Sequence, residues 1–203
     1  MDYIDGVPVL KVSGVMRQSA LFGTKLLLKR EYTCVYGSNV LNFTDTVINE
    51  DYQAVPYMLL YHMNIGFPLL SEHAKLELPS LKQTPRTALA AEYLEKWDEV
   101  LPPQDGFSEM CYYHDMKKDA DGKVTFSVSN SEIHTRLKIT YDGNVLDHFI
   151  QWKMYGKGEY VTGLESANAT IDGRDGARRN GSLKFLPAGG TATMPFTIEL
   201  ETL

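Results

Sequence analysis

The closing segment ATMPFTIEL, residues 192–200, alternates apolar and polar residues without a break. Ala192, Met194, Phe196, Ile198 and Leu200 fall on one side, and Thr193, Pro195, Thr197 and Glu199 on the other. A period of two is the pattern of a strand with one buried face. A chain built this way hides its apolar side only by pairing strands and stacking sheets. The pattern recurs in KLLLKREYTCVYG and NVLNFTDTVINE, which are separated by the turn-forming YGSN. DADGKVTFSVSN and TRLKITYDGNV carry Asp121-Gly122 and Asp142-Gly143, dipeptides that supply the positive φ of a hairpin turn. HFIQWKMYG and GEYVTGLES read as two further strands around Gly156 and Gly158.

Only TPRTALAAEYLEKWDEV has helical character. Good helix formers run from Ala88 to Trp97, with Leu89, Tyr93 and Trp97 four residues apart, and LPPQDG ends the run. TIDGRDGARRNGSL reads as a solvated loop bearing Arg174, Asp175, Arg178 and Arg179. Many short strands and one short helix near 88–97 predict an all-β protein, an antiparallel β-sandwich, formed as a single domain over residues 1–203. No repeat and no shift of composition marks a second domain.

The net charge of −6 leaves no surplus of Lys and Arg to neutralise phosphates, so no nucleic-acid partner is expected. The longest apolar run, PYMLLYHMNIGFPLL (residues 56–70), is interrupted by His62 and Asn64 and is too short to span a bilayer. No membrane partner is therefore expected. Cys34 and Cys111 show no metal or redox spacing and read as buried thiols in a reducing compartment. The opening MDYIDGVPVL has neither a basic nor an apolar leader region, which predicts a cytoplasmic protein.

Acid–base chemistry rests on few residues. His62 and Asn64 share one face of their strand with Met58 and Leu60, which fits a pocket floor or a core His–Asn bond. His114 and Asp115 are consecutive, so only one of them can face a common site. Trp152, between Gln151 and Lys153, is either core or a platform for the C–H face of a sugar ring. Glu165, just past Gly163 and Leu164, is either exposed at a strand end or buried with a raised pKa, poised as a general base. There is no nucleophile elbow, no phosphate loop and no metal-ligand spacing. What remains is acid–base chemistry by His and Glu.

In this order PYMLLYHMNIGFPLL, YYHD, QWKMYGKGEYVTGLESAN, GRDGARRNGSLKFLPAGG and the closing strand resemble the aldose 1-epimerase (galactose mutarotase)-like superfamily. The resemblance is nearest to a bacterial branch of unknown function and covers the C-terminal part of family chains. It implies a galactose mutarotase-like supersandwich, N-terminally shortened, whose exposed edges favour self-association or an altered architecture. It places His62 and Glu165 at the family's catalytic histidine and glutamate. Asn64, His114, Asp115, Trp152 and Lys153 make up the implied substrate-binding set. The implied reaction interconverts the anomers of a free sugar or sugar derivative, Glu165 acting as base and His62 as acid, and requires no metal or organic cofactor. Two other readings keep the same residues: a non-catalytic carbohydrate-binding or regulatory sandwich, and a glycoside-processing enzyme using Glu165 with Asp115.

Overall fold

A computed structural model describes residues 2–203. Its first eight strands are β1 (Asp2–Ile4), β2 (Val7–Ser19), β3 (Lys25–Val35), β4 (Val40–Asn49), β5 (Val55–Tyr57), β6 (Leu60–Gly66), β7 (Ala74–Glu77) and β8 (Ser80–Pro85). Helix α1 (Ala88–Glu92) precedes β9 (Met110–Met116), β10 (Lys123–Asn130), β11 (Thr135–Asp142), β12 (His148–Gly156) and β13 (Glu159–Ala167). Helix α2 (Gly173–Asn180), β14 (Lys184–Leu186) and β15 (Thr191–Thr202) close the chain. An eight-stranded sheet of order β1-β2-β3-β4-β15-β11-β10-β7 faces a five-stranded sheet of order β6-β13-β12-β9-β8. A β14–β5 ribbon stands beside them. Neighbouring strands pair antiparallel throughout, as the alternation predicts.

One apolar cluster fills the space between the sheets. Phe43, Val47, Phe126, Val128, Ile139, Tyr141 and Phe196 come from the larger sheet. Tyr61, Ile65, Phe149, Tyr155 and Leu164 come from the smaller one. Phe43 stacks on Phe196 with centroids 4.6 Å apart, and Tyr61 leans on Phe196 at 4.5 Å. Fully buried Asp45 ties the sheets together. Its carboxylate accepts from Arg30 Nε and Nη2 at 2.7 and 2.5 Å and from the Tyr61 hydroxyl at 2.8 Å. A buried carboxylate is tolerated only when paired and hydrogen-bonded in this way. The contact also fixes β6 one residue before His62.

Three local expectations change. Both Asp-Gly dipeptides lie where the chain passes from one sheet to the other, not in hairpins: Asp121-Gly122 leads from β9 to β10, and Asp142-Gly143 from β11 to β12. The two crossings are joined by a bond from Gly143 N–H to the Gly122 carbonyl at 3.0 Å. Turn chemistry sets the reversal of the backbone but not which strand pairs next. The helix near 88–97 is a five-residue α1, capped by Thr87 Oγ1 accepting from Ala90 N–H, followed by a 3-10 turn over Leu94–Lys96. The segment read as a solvated loop contains α2, so the described residues form two short α-helices rather than one. Its arginines are solvated as expected, but buried Ala177 and a left-handed Gly181 just past its end make it a helix.

β2 extends the larger sheet past the smaller one. Val12 and Met16 pair with Tyr32 and Leu28, so they continue the core-facing side, yet with Leu10 they are 56–69% exposed. Both cysteines are free, Cys111 buried but Cys34 only half-buried.

Candidate active site

The outer face of the five-stranded sheet carries a two-dimensional lattice set by strand register. One row across β6, β13, β12 and β9 reads His62, Glu165, Ile150, Tyr113. The next reads Asn64, Gly163, Trp152, Cys111, and Arg86 N–H extends it by donating to the Cys111 carbonyl at 2.9 Å. Side chains two apart on a strand share a face, and adjacent strands lie about 4.8 Å apart. These residues therefore converge although they come from distant parts of the chain. Leu60, His62, Arg86, Glu109, Cys111, Ile150, Trp152, Glu165 and Ile171 line a cleft of about 390 Å³.

His62 Nε2 lies 3.0 Å from Glu165 Oε1. The two side chains differ sharply in exposure: the imidazole is 47% exposed and the carboxylate 4%. Burial raises the Glu165 pKa above the ordinary value of 4.5, and the charge of protonated His62 pulls it partly back. The pair can thus hold and exchange a proton at the open end of the cleft. Trp152 stands next to it, its indole edge-on to the imidazole at 5.6 Å. Glu109 Oε2 accepts from Trp152 Nε1 at 2.7 Å, which fixes the indole plane. Arg86 reaches Asp172 at 3.7 Å, and the Tyr113 hydroxyl bonds Ile171 N–H and Asp172, holding the loop after β13 against the cleft. Cys111 on the floor has its thiol pushed up by burial to about 11, so it stays protonated and unreactive near neutral pH.

The sequence-derived set divides by strand parity. His62, Glu165 and Trp152 come together. Asn64 stands on the same face, opposite Gly163. Asp115 shares that face but sits four residues along β9 from Cys111, away from the lining. Met58 lies outside β6 and lines an apolar groove with Met16 and Leu28 instead.

His114 and Lys153 point the other way, into the protein. His114 bonds Ser80 Oγ at 2.9 Å and Gln151 Oε1 at 3.2 Å between the rings of Trp97 and Phe149, and burial lowers its pKa to about 4. Lys153 donates to the carbonyls of Lys96, Trp97 and Glu99 at 2.9–3.0 Å, and Gln151 also donates to Trp97. The ammonium thus supplies the Glu99 carbonyl and shares those of Lys96 and Trp97, which also accept from Glu99 N–H and from Gln151, at the end of the helical turn after α1. Lys153→Met leaves the Glu99 carbonyl without this donor and is expected to lower stability by about 1–3 kcal/mol. It leaves cleft chemistry unchanged, which urea unfolding and the exchange assay below check together.

The sequence reading missed Arg86, Glu109, Cys111 and Ile171. Glu109 and Cys111 share the parity of Tyr113 and Asp115, a signal present in SEMCYYHDM. Only the pairing of β9 with β12 shows that this parity matters. A larger groove of about 580 Å³ crosses the opposite sheet beside Glu77, Arg136, Lys138 and Glu201. There Lys138 pairs with Glu199 and Glu201 at 2.5 and 2.6 Å, so its charges are spent on each other. Among the described residues no group of three or more His, Cys, Asp or Glu is arranged to hold a metal ion, and no helix is long and apolar enough to cross a membrane.

The model of a domain of unknown function, DUF4432, matches residues 4–200. The chain belongs to this family. Among solved structures, the DUF4432 chain is similar to a candidate aldose 1-epimerase from Klebsiella pneumoniae, with 25% identity and a TM-score of 0.91 over 95% of this chain and 50% of that one. A galactose mutarotase-like protein from Clostridium acetobutylicum matches at 12% identity and a TM-score of 0.68, over 96% of this chain and 63% of that one. A candidate aldose 1-epimerase from Escherichia coli K12 matches at 13% identity and 0.67, over 100% and 68%. The DUF4432 chain therefore has the galactose mutarotase-like fold and spans about half the length of the Klebsiella protein. None of the curated proteins matches it.

Proposed function

We propose that this protein interconverts the anomers of a free sugar or sugar derivative, with Glu165 as general base and His62 as general acid. The observation that carries the reading is the 3.0 Å approach of the two groups at the mouth of the cleft. A pyranose carries two oxygens on its anomeric carbon, one needing to lose a proton and the other to gain one. An acid and a base side by side match that demand. Glu165 takes the proton of the anomeric hydroxyl while imidazolium His62 gives one to the ring oxygen. The C1–O5 bond breaks to an aldehyde, C1–C2 rotates, and the two proton transfers reverse on closure. The enzyme ends in its starting protonation state. Trp152, held by Glu109, offers an apolar plane for the C–H face of the ring, and Arg86 and Glu109 offer a donor and an acceptor for hydroxyls. The cleft volume suits a single sugar unit. The fold of the solved relatives adds support.

The test is exchange between α- and β-glucose and α- and β-galactose, followed by NMR with and without protein. Exchange above the buffer rate supports the reading, and buffer-rate exchange for both sugars removes it for them. Saturable binding without exchange favours instead a carbohydrate-binding sandwich, a reading consistent with the largely open side chain of His62.

The rate depends on pH in a defined direction. Base action needs Glu165 ionised and acid action needs His62 protonated, so kcat/KM follows a bell. Because burial raises the Glu165 pKa, the acid limb falls at a pH above 4.5. A limb at or below 4.5 contradicts the burial argument.

A further inference from the structure

We infer that Gly163 is a positioning residue for the Glu165–His62 pair: its missing side chain is the space into which the Glu165 carboxylate folds to reach the imidazole. This rests on the proposed role of the pair, but its geometry is independent of any substrate. Gly163 lies mid-strand in β13, buried, with Asn64 on one side of it and Trp152 on the other. Its φ is not positive, so no turn, bulge or left-handed backbone requires glycine there. A glycine inside a strand is otherwise disfavoured, since it loses more backbone freedom on folding and packs no side chain. Its use has to come from what occupies the vacated volume.

That occupant is the dyad. A methyl group at position 163 would overlap Glu165 Oε1 outright and would lie 3.3 Å from both Glu165 Cδ and His62 Cε1. Glu165 is two residues further along the same face, so its carboxylate runs back along the strand over Gly163. His62 and Trp152 are diagonal neighbours across the same glycine, and their rings meet edge-on above it at 5.6 Å. The missing Cβ therefore leaves room for the carboxylate beside the imidazole, the two groups that a side chain there would crowd. Backbone glycines elsewhere in the smaller sheet do not share this: a Cβ at Gly156 would meet only Met154 Sδ at an ordinary 3.8 Å.

The test is Gly163→Ala, read first without substrate. The contact is read at one fixed pH from the His62 Nε2 resonance, assigned by its loss in His62→Asn and expected to move in Glu165→Gln, which exchanges the carboxylate beside it for an amide. Gly163→Ala is expected to move this resonance away from its wild-type position as well, with a thermal midpoint no lower than that of Gly156→Ala. Anomer exchange then falls about 10–100-fold, the size expected when a reacting group is misplaced by about an ångström. A wild-type Nε2 resonance in Gly163→Ala overturns the inference, whatever the exchange rate. If the wild type shows no exchange, the proposed function fails while the resonance still decides the role of the glycine. Should Gly163→Ala not fold, the double variant Gly163→Ala/Glu165→Ala separates the causes. Recovery to the stability of Glu165→Ala alone locates the clash at the carboxylate, as inferred, and continued unfolding means the glycine serves the backbone and overturns it.

Discussion

With Glu165 as the proposed base, Glu165→Gln is expected to lower the rate of anomer exchange by about 10²–10⁴, the usual worth of one general base. Glutamine keeps the shape of the side chain and cannot take a proton. The carboxylate is nearly inaccessible and lies 3.0 Å from His62 Nε2, so water cannot readily stand in for it. The loss is expected in kcat, because in the proposed mechanism the group acts on a proton that moves only in the transition state. His62→Asn has a loss of the same order. The double variant is expected to lose little more than either one, since the proposed acid and base act in a single exchange and groups that act as a unit are not additive. Two-dimensional exchange NMR on glucose and galactose measures all four proteins. Exchange by Glu165→Gln equal to wild type would falsify the assignment of the base.

Phe149→Ala has the largest effect on stability, a loss of about 3–5 kcal/mol. The ring is 1% exposed and stands where the two sheets meet. It packs edge-on against Phe126 at 5.2 Å and His114 at 5.9 Å, and near-parallel to Tyr141 at 6.4 Å. Truncation removes these aromatic contacts and leaves a cavity that close-packed neighbours on two stiff sheets fill only in part. For a chain of 203 residues the loss corresponds to a fall of about 6–20 °C in Tm. Ile150 and Trp152 lie on the other face of the same strand, so any exchange activity falls only near the new midpoint. Urea unfolding with an unchanged m value checks the size. A loss under 1 kcal/mol would mean that the sheets close over the gap.

Much of the site follows from parity alone. Alternation along LYHMN puts His62 with Asn64, and alternation along CYYHDM separates His114 from Asp115. The same rule applied to FIQWKMYG turns Lys153 away from Trp152, yet the resemblance to family chains led to both being assigned to the substrate. The structure places Lys153 on the inner side of β12, its ammonium held by three carbonyls at the end of a helical turn. Those carbonyls belong to a segment more than fifty residues earlier. The second helix was hidden for a related reason. GRDGARRN is poor in apolar residues, and what holds it is the burial of Gly176 and Ala177 against the body of the protein.

By itself the sequence determined the all-β class and the faces of the strands, and it supplied the His and Glu side chains on which the proposed chemistry rests, since each depends only on residue type and a two-residue period. The tertiary structure decided which faces meet. The register of β6 against β13 puts His62 opposite Glu165 across about a hundred residues of chain, and a slip by one residue would turn one of them to the core. That register is fixed by contacts no local pattern contains, among them Asp45 holding the Tyr61 hydroxyl and the packed aromatic layer between the sheets. Local chemistry decides what a strand can present, and the energy of closing the core decides what it is presented to.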